Sequence, residues 1–273
     1  MTERNRRRRR RRRRQSHWIS SIILVISLAV FCIAAFQLIK IGKGYLDGRS
    51  EYEKIQDLAI TNPDQDEKKG KDKSDGKDRF KVDFDKLLGM NQDTIGWIRF
   101  YPEPSIINYP VVQGKDNDEY LHKTFSANEN TLGTIFLNVD NHSDFNDVHS
   151  VIYGHRMRDG SMFRHLQDYE KKEFWEENPY FYIYTPDGRK IIYHIYAAAQ
   201  IVDSAENYKT VFENGEEFQQ FIDMTKKQAL YDTGVEVTNL SQIVTLSTCT
   251  SASDEHRFVV RAVKESEDLM DGE

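Results

Sequence analysis

Cysteine is scarce in this chain of 273 residues, which contains only Cys32 and Cys249. Cys32 lies in a long apolar run near the N-terminus and is not expected to reach Cys249, so no intrachain disulfide is predicted. The folded part must then rely on an ordinary hydrophobic core. The sequence also lacks a metal-ligand pattern, because the acidic residues within 140–147 do not have the spacing of a calcium loop. We therefore expect neither a metal nor a cofactor.

Positive charge is scarce beyond the first 41 residues. The whole chain has 38 Lys and Arg against 44 Asp and Glu, and residues 1–41 hold 11 of the bases and one of the acids. The remainder has 27 basic against 43 acidic side chains, a net charge of −16. Such an acidic domain is a poor match for the phosphate backbone, which excludes nucleic-acid binding as its function.

The N-terminal segment predicts a membrane anchor. Residues 6–14 are nine consecutive arginines, and the 22 residues 18–39 carry no charge. About 20 apolar residues are enough for a helix to cross a bilayer, whereas the apolar part of a cleaved signal peptide has roughly 7–15. Because basic residues stay on the cytoplasmic side, we expect a single-pass protein of the cell membrane. Residues 1–17 would be cytoplasmic, residues 18–39 transmembrane, and the rest extracellular.

Residues 40–79 read as a short helix followed by a linker. Ser50 with Glu53 three positions later has the pattern of a capping box, which predicts a helix from there to about residue 59. Residues 61–79 contain no large apolar side chain and predict a charged, flexible tether. The catalytic domain is expected to occupy residues 80–273.

Recurring short strand-like runs with turn signals between them predict a mainly β domain. Short strand-like runs separated by turn signals lie at 95–100, 106–112, 134–138, 150–153, 180–184, 191–202, 243–246 and 258–263. Helical patterns lie at 84–89, 161–169 and 216–230, the last with an apolar stripe of Phe218, Phe221, Ile222 and Leu230. Many short strands with few helices between them favour a closed or nearly closed β-barrel.

Cys249 ends the strand-like run 243–249 and is the one thiol of the part expected to be exported. Outside the cell thiols are usually paired, so this one indicates either a reactive side chain or a buried small hydrophobe. A nucleophilic thiol needs a proton acceptor. His155, which follows an apolar strand and a glycine, is the best placed histidine, and His256 is its main rival. The pattern predicts His194 to be structural, and the remaining exported histidines, in polar contexts, to be surface residues: His122, His142, His149 and His165.

An arginine returns to the same strand end. After Cys249 a seven-residue loop leads into a strand that begins with Arg257. A guanidinium stays charged and donates in a rigid fork, as the stabilisation of an oxyanion requires. Arg261 shares a strand face with Arg257 but lies roughly 13 Å further along. Arg257 is therefore the predicted partner of the thiol.

Several segments together resemble one family. Residues 245–249 (TLSTC) followed by the strand from Arg257 are similar to the active-site signature of sortases, the cell-wall transpeptidases of Gram-positive bacteria. Residues 108–113, 116–121, 133–136 and 153–163 resemble class B sortases in order and spacing. The resemblance covers roughly residues 80–265.

This resemblance implies a closed eight-stranded β-barrel with N-terminal helices and a long helix between late strands. It implies that Cys249 is the nucleophile, His155 the acid/base and Arg257 the oxyanion-stabilising residue. It assigns four further residues to binding of the sorting signal: Ser247, Thr248, Asn117 and Leu121.

The implied reaction is cleavage of an Asn-Pro-x-Thr-Asn/Gly-like motif after threonine through a thioacyl enzyme. The acyl group would pass to an amine of a lipid-linked peptidoglycan precursor. A membrane-anchored cysteine hydrolase, a pilin-polymerising sortase and a non-catalytic binding module remain as alternatives.

Overall fold

The computed structural model describes residues 3–61, 80–102, 105–249 and 255–270, with the side chains of residues 3–17, 19, 41, 61 and 249 outside that description. The chain divides into two compact units, Met1–Asp47 and Gly48–Glu273. The helices are α1 (Glu3–Ala59), α2 (Phe84–Met90), α3 (Lys172–Glu177) and α4 (Gly215–Gln228), with 3-10 turns at Glu119–Leu121, Phe163–Glu170 and Ala205–Tyr208. The strands are β1 (Ile60–Thr61), β2 (Lys81–Val82), β3 (Thr94–Tyr101), β4 (Asn108–Val112), β5 (Ile135–Leu137), β6 (His149–Tyr153), β7 (Tyr180–Tyr184), β8 (Arg189–Val202), β9 (Ile243–Cys249) and β10 (His256–Leu269).

The long helix α1 includes the apolar N-terminal run. Its segment Ser20–Ala59 contains an 18-residue stretch with mean hydropathy 2.9, and none of that stretch is buried. This helix is long and apolar enough to cross a membrane. The helix does not begin at Ser50, as the capping-box pattern predicted, because Ser50 lies inside α1. No proline interrupts residues 40–50, and glycine costs a helix only about 1 kcal/mol relative to alanine.

The last turns of α1 belong to the second unit and bury one face. Tyr52, Ile55 and Ala59 are buried at spacings of three and four, as expected for an amphipathic helix. Strand β1 then pairs with β2, with Ile60 opposite Val82. Most of the predicted linker, residues 62–79, lies outside the described residues. The residues on either side of it, Thr61 and Lys81, are partners in the β1–β2 pair.

Strands β3 to β10 form a closed barrel in the order β10-β8-β7-β3-β4-β5-β6-β9. The pairs β4–β5 and β6–β9 are parallel, and the other pairs are antiparallel. This confirms the predicted mainly β, closed eight-stranded barrel. All eight predicted strands are present; β7 has the predicted bounds, and the ends of the others are displaced by up to six residues, because local sequence marks strand centres better than strand ends.

Helix α4 covers the outside of the barrel next to β9. Phe218, Phe221 and Ile222 are buried against residues of β8, β9 and β10, and each such side chain contributes roughly 1.5–3 kcal/mol by burial. The predicted fourth member of the stripe, Leu230, is 51% exposed, because α4 ends at Gln228. Residues 243–248 of β9 are all buried, and Ile243 packs in the same cluster as the α4 side chains.

The helix predicted at residues 161–169 is a 3-10 turn at Phe163–Glu170 and has no serine cap. Met162, which precedes it, has a φ of +56° and separates Ser161 from the helical residues. The Ser161 hydroxyl donates instead to Asp159 at 2.7 Å. A side-chain bond of this kind competes with helix formation.

Candidate active site

The central strand of the site is β9, which ends at Cys249. In the antiparallel pair with β10, Cys249 lies directly opposite Arg257. In the parallel pair with β6, Ser247 lies opposite Tyr153, and the Gly154 amide donates to the Ser247 carbonyl at 3.1 Å. His155 is therefore level with Cys249, each two residues beyond the last matched pair. Adjacent strands are about 4.8 Å apart, so the barrel brings the backbones of these three predicted residues together at one end of β9.

His155 is held by a backbone carbonyl. Its Nε2 donates to the Leu121 carbonyl at 2.7 Å. Because a carbonyl only accepts, Nε2 must carry the proton, which leaves Nδ1 of the neutral ring as the acceptor. Burial lowers the pKa of His155 by disfavouring the charged imidazolium; the Leu121 carbonyl opposes this shift and the nearby His122 adds to it. At neutral pH the ring is thus a base ready to take a proton.

Arg257 is oriented by an acidic side chain. Its Nη2 lies 2.7 Å from Asp203 Oδ2, and its Nη1 donates to the His256 carbonyl at 3.2 Å. Asp203 follows β8, the neighbour of β10 on the side away from β9. Arg261, by contrast, lies opposite Thr245 and is fully buried. The barrel therefore places Arg257 at the strand end and Arg261 in the wall.

The residues just before Cys249 are buried. Ser247 is 2% exposed, and its hydroxyl oxygen lies 2.9 Å from the Tyr208 hydroxyl. Thr248 is also 2% exposed, and its hydroxyl has no hydrogen-bond partner among the described residues. Side chains alternate along a strand, so these two point to opposite faces of β9. Neither presents surface to a substrate in this conformation.

Asn117 and Leu121 lie on the segment that leads to the histidine. Leu121 contacts His155 through its carbonyl, and its side chain is half-buried. Asn117 accepts from the Val139 amide at 2.9 Å and donates to Asn138 Oδ1 at 3.2 Å, which ties its loop to the end of β5. Leu121 is thus adjacent to the predicted acid/base, whereas the Asn117 amide is engaged in loop structure.

His149 was expected at the surface but is fully buried. Its Nδ1 donates to the Lys209 carbonyl at 2.7 Å, its Nε2 accepts from the Thr245 hydroxyl at 2.8 Å, and its ring packs on Phe221. Burial is the main cause that lowers the pKa of His149 to about 4. The polar sequence context misled the prediction because it did not show that α4 covers this part of the barrel.

The buried His149 makes stability depend on pH. In the unfolded chain this imidazole takes up a proton near pH 6.5, but in the folded protein only near pH 4. The unfolded state thus binds more protons between these values, so we expect the free energy of unfolding to fall by roughly 3 kcal/mol as the pH drops from 6.5 to 4. Urea unfolding over this range should show a smaller loss for His149→Gln.

The matched control for this titration is His142→Gln. His142 is exposed, and its bond to Asp147 raises its pKa, so its substitution removes no buried neutral imidazole. This variant should lose at least as much stability at acid pH as the wild type, because the raised pKa of His142 favours the folded state there. Equal pH slopes for the wild type and His149→Gln would contradict the assignment.

The acidic segment at residues 140–147 forms a turn. Asp147 accepts from the Asn141 amide and from His142, and Asp144 accepts from Asn146. Within the part of the chain that the structure describes, no group of three or more His, Cys, Asp or Glu is placed to hold a metal ion.

Two residues near the candidate site, Asp203 and Tyr208, were not predicted from the sequence. Asp203 directly follows the predicted strand 191–202, so the strand-end argument applied to His155 could have found it. Tyr208 carries no such signal, because its contact with Ser247 depends on how the segment after β8 folds back over β9.

Comparison with known proteins gives a consistent result. The Sortase domain family model matches residues 102–265. The chain is 30% identical over 249 residues to sortase B of Staphylococcus aureus (strain NCTC 8325 / PS 47), which covers 89% of this chain and 94% of the relative.

Solved structures give the same match. Clostridium perfringens sortase B has a TM-score of 0.63 at 31% identity, covering 67% of this chain and all of that one. A Staphylococcus aureus sortase B–substrate complex has a TM-score of 0.62 at 34% identity, covering 67% and 85%. Family model, relatives and fold agree, and this chain therefore belongs to the sortase family as a class B sortase, a cysteine transpeptidase.

Proposed function

We propose that Cys249 is the nucleophile of this transpeptidase, with His155 as acid/base and Arg257 as the oxyanion-stabilising residue. The observation that carries the proposal is the register of β9, which is flanked at its end by His155 on one side and Arg257 on the other. Three strands of one sheet hold the backbones of these residues, so their relative positions need no loop closure.

The first half of the reaction forms a thioester. His155 Nδ1 takes the proton from the Cys249 thiol as the sulfur attacks the threonine carbonyl carbon of the sorting motif. Negative charge develops on the carbonyl oxygen, where the Arg257 guanidinium, oriented by Asp203, stabilises it. His155 then donates its proton to the departing amine, and the carbon–nitrogen bond breaks.

The second half forms a new amide. An amine of the acceptor attacks the thioester carbonyl, His155 takes up the proton that the amine loses, and the Cys249 sulfur leaves and is reprotonated. We propose an Asn-Pro-x-Thr-Asn/Gly-like motif in secreted proteins as the donor and the amine of a lipid-linked peptidoglycan precursor as the acceptor. The substrate complex of the Staphylococcus aureus relative supports a sorting signal as the substrate class.

We propose that Leu121 and Asn117 border the sorting-signal groove beside His155. The buried Ser247, which shares a face of β9 with Cys249, would then shape its wall from beneath without contacting the peptide, whereas the buried Thr248 points to the opposite face.

The proposed topology places residues 1–17 in the cytoplasm, residues 18–39 in the membrane and the domain at 80–273 outside. The apolar stretch of α1 supports the membrane segment. The arginine block supports the sidedness, because positive charge stays on the cytoplasmic side. Anchoring would keep the enzyme where its exported substrates and its lipid-linked acceptor are found.

The test is to trap the thioacyl enzyme. A membrane-impermeant Asn-Pro-x-Thr-Asn peptide, incubated with the full chain, should leave a mass adduct on Cys249 that corresponds to cleavage after threonine. Cys32→Ala should form the same adduct, and Cys249→Ala should form none. Turnover by Cys249→Ala at the wild-type rate would exclude the thiol as nucleophile and favour a binding module.

Two further arms separate the alternatives. Added amine should convert the adduct into a ligated product; release by water alone would indicate a hydrolase, and preference for a lysine-bearing pilin segment would indicate a polymerising enzyme. Intact cells should give the Cys249 adduct as efficiently as lysed cells. An adduct that forms only after lysis would overturn the proposed topology.

A further inference from the structure

Tyr52 connects the N-terminal helix to the loop that contacts the catalytic histidine. Its side chain is 4% exposed, and its hydroxyl donates to the Gly133 carbonyl at 2.6 Å. The same oxygen lies 3.1 Å from the Thr134 hydroxyl, which donates to the Lys123 carbonyl at 2.8 Å. One buried phenol thus fixes the turn at residues 133–134 against α1.

Gly133 packs directly on the His155 ring. It has a φ of +61°, and a Cβ at this position would lie 2.8 Å from His155 Cδ2 and 2.8 Å from the Leu121 carbonyl oxygen. The Thr134 amide also donates to the Tyr120 carbonyl at 2.9 Å, which holds the two segments together. The backbone that Tyr52 holds is therefore the backbone that surrounds the imidazole.

The orientation of the imidazole depends on this contact set. The bond from Nε2 to the Leu121 carbonyl selects the tautomer that leaves Nδ1 to accept the thiol proton. If the turn at Gly133 relaxes, the ring gains room and the Leu121 carbonyl loses its support. A displacement of about 1 Å at a reacting group costs on the order of 10²-fold in rate.

We propose that Tyr52 is a positioning residue for His155: through Gly133 it holds the ring and its carbonyl acceptor in the geometry that proton transfer requires. This inference rests on the acid/base role proposed above for His155. It gives the last turns of α1 a part in catalysis as well as in anchoring.

The test is Tyr52→Phe in the full chain, which removes one oxygen and keeps the ring. We expect kcat for the sorting peptide to fall about tenfold, with KM within about twofold of the wild type. The acid limb of the kcat–pH profile should move to higher pH, because a looser, wetter site relieves the burial that lowers the pKa of His155. Nitrogen-15 chemical shifts of His155 should show a larger fraction of the Nδ1–H tautomer.

The matched control is Tyr169→Phe. Tyr169 is also buried and donates to a backbone carbonyl, that of Asn178 at 2.7 Å, but its ring packs on Phe100 and Phe174. This variant should lose similar stability and keep the wild-type kcat, acid limb and tautomer ratio. A second variant, Thr134→Val, removes the neighbouring hydroxyl and should shift the tautomer ratio in the same direction as Tyr52→Phe.

The outcomes distinguish the positioning role of Tyr52 from the acid/base role of His155. Wild-type kinetics and tautomer ratio in Tyr52→Phe, or changes equal to those of Tyr169→Phe, would overturn the positioning role. If Tyr52→Phe does not fold, the tautomer ratio of Thr134→Val decides the question. Retained turnover in His155→Ala would instead overturn the proposed acid/base role.

Discussion

Arg257→Ala is expected to lower kcat by about 10²–10³-fold with KM unchanged. Arg257 lies opposite Cys249 in the register of β9 and β10, and its guanidinium pairs with Asp203. In the proposed mechanism, negative charge develops beside Cys249 only in the transition state. An interaction confined to the transition state affects kcat and not ground-state binding. Steady-state kinetics with a sorting peptide and an amine acceptor measure both parameters.

The control for this substitution is Arg189→Ala. Arg189 is also a strand arginine in an ion pair, with Asp187 at 2.7 Å, but it begins β8 at the end far from Val202. Its loss should leave kcat within about twofold of the wild type. If Arg257→Ala retains kcat within threefold, the oxyanion role belongs to another group.

Arg261→Ala is expected to lower the free energy of unfolding by about 3 kcal/mol or more. The Arg261 guanidinium is fully buried and donates to Gln228 Oε1 at 3.0 Å and to Asn207 Oδ1 at 3.2 Å. Truncation leaves a large cavity, and the amide oxygens of Gln228 and Asn207 lose the hydrogen bonds from Arg261. Truncation also removes the free-energy cost of burying a charged guanidinium, a cost that is reflected in the lowered pKa of Arg261. We expect the lost packing and hydrogen bonds to outweigh this gain. Urea denaturation followed by circular dichroism measures the difference.

The matched substitution is Arg164→Ala. Arg164 pairs with Asp168 at 3.4 Å on a surface turn, and both side chains are about one-third exposed. Exposed pairs contribute about 0–1 kcal/mol, so this variant should unfold close to the wild type. A loss below 1 kcal/mol in Arg261→Ala would mean that the wall around β10 collapses to fill the space.

The sequence predicted the barrel because each strand carries its own local pattern. The run at residues 180–184 is rich in aromatic residues and is followed by a Thr-Pro-Asp-Gly turn, and it is found as β7 with the predicted bounds. Helix α4 was predicted for the same reason, since its buried stripe repeats at helical spacing. Local periodicity is strong where one face of an element is buried and the other is wet.

Two predictions failed, one because burial comes from a distant segment and one because a helix continues further along the chain than its capping pattern indicates. His149 was assigned to the surface, but α4, some 70 residues later, covers it. Ser50 matched a capping box, yet nothing upstream stops α1. The failure at His149 concerns a long-range contact that no sequence window contains. The failure at Ser50 is local, because residues 40–50 contain no proline that would end the helix.

For the candidate active site, the sequence by itself predicted the chemistry: a thiol at a strand end, a histidine after another strand and an arginine at the start of a third. Only the tertiary structure decided how these groups meet and what holds them. The parallel pairing of β6 with β9 aligns His155 with Cys249. The Arg257 guanidinium pairs with Asp203, and the Tyr52 hydroxyl donates to the Gly133 carbonyl beside the imidazole. Strand order, register and the packing of α1 are properties of the closed barrel, because they arise from contacts between residues up to about a hundred positions apart.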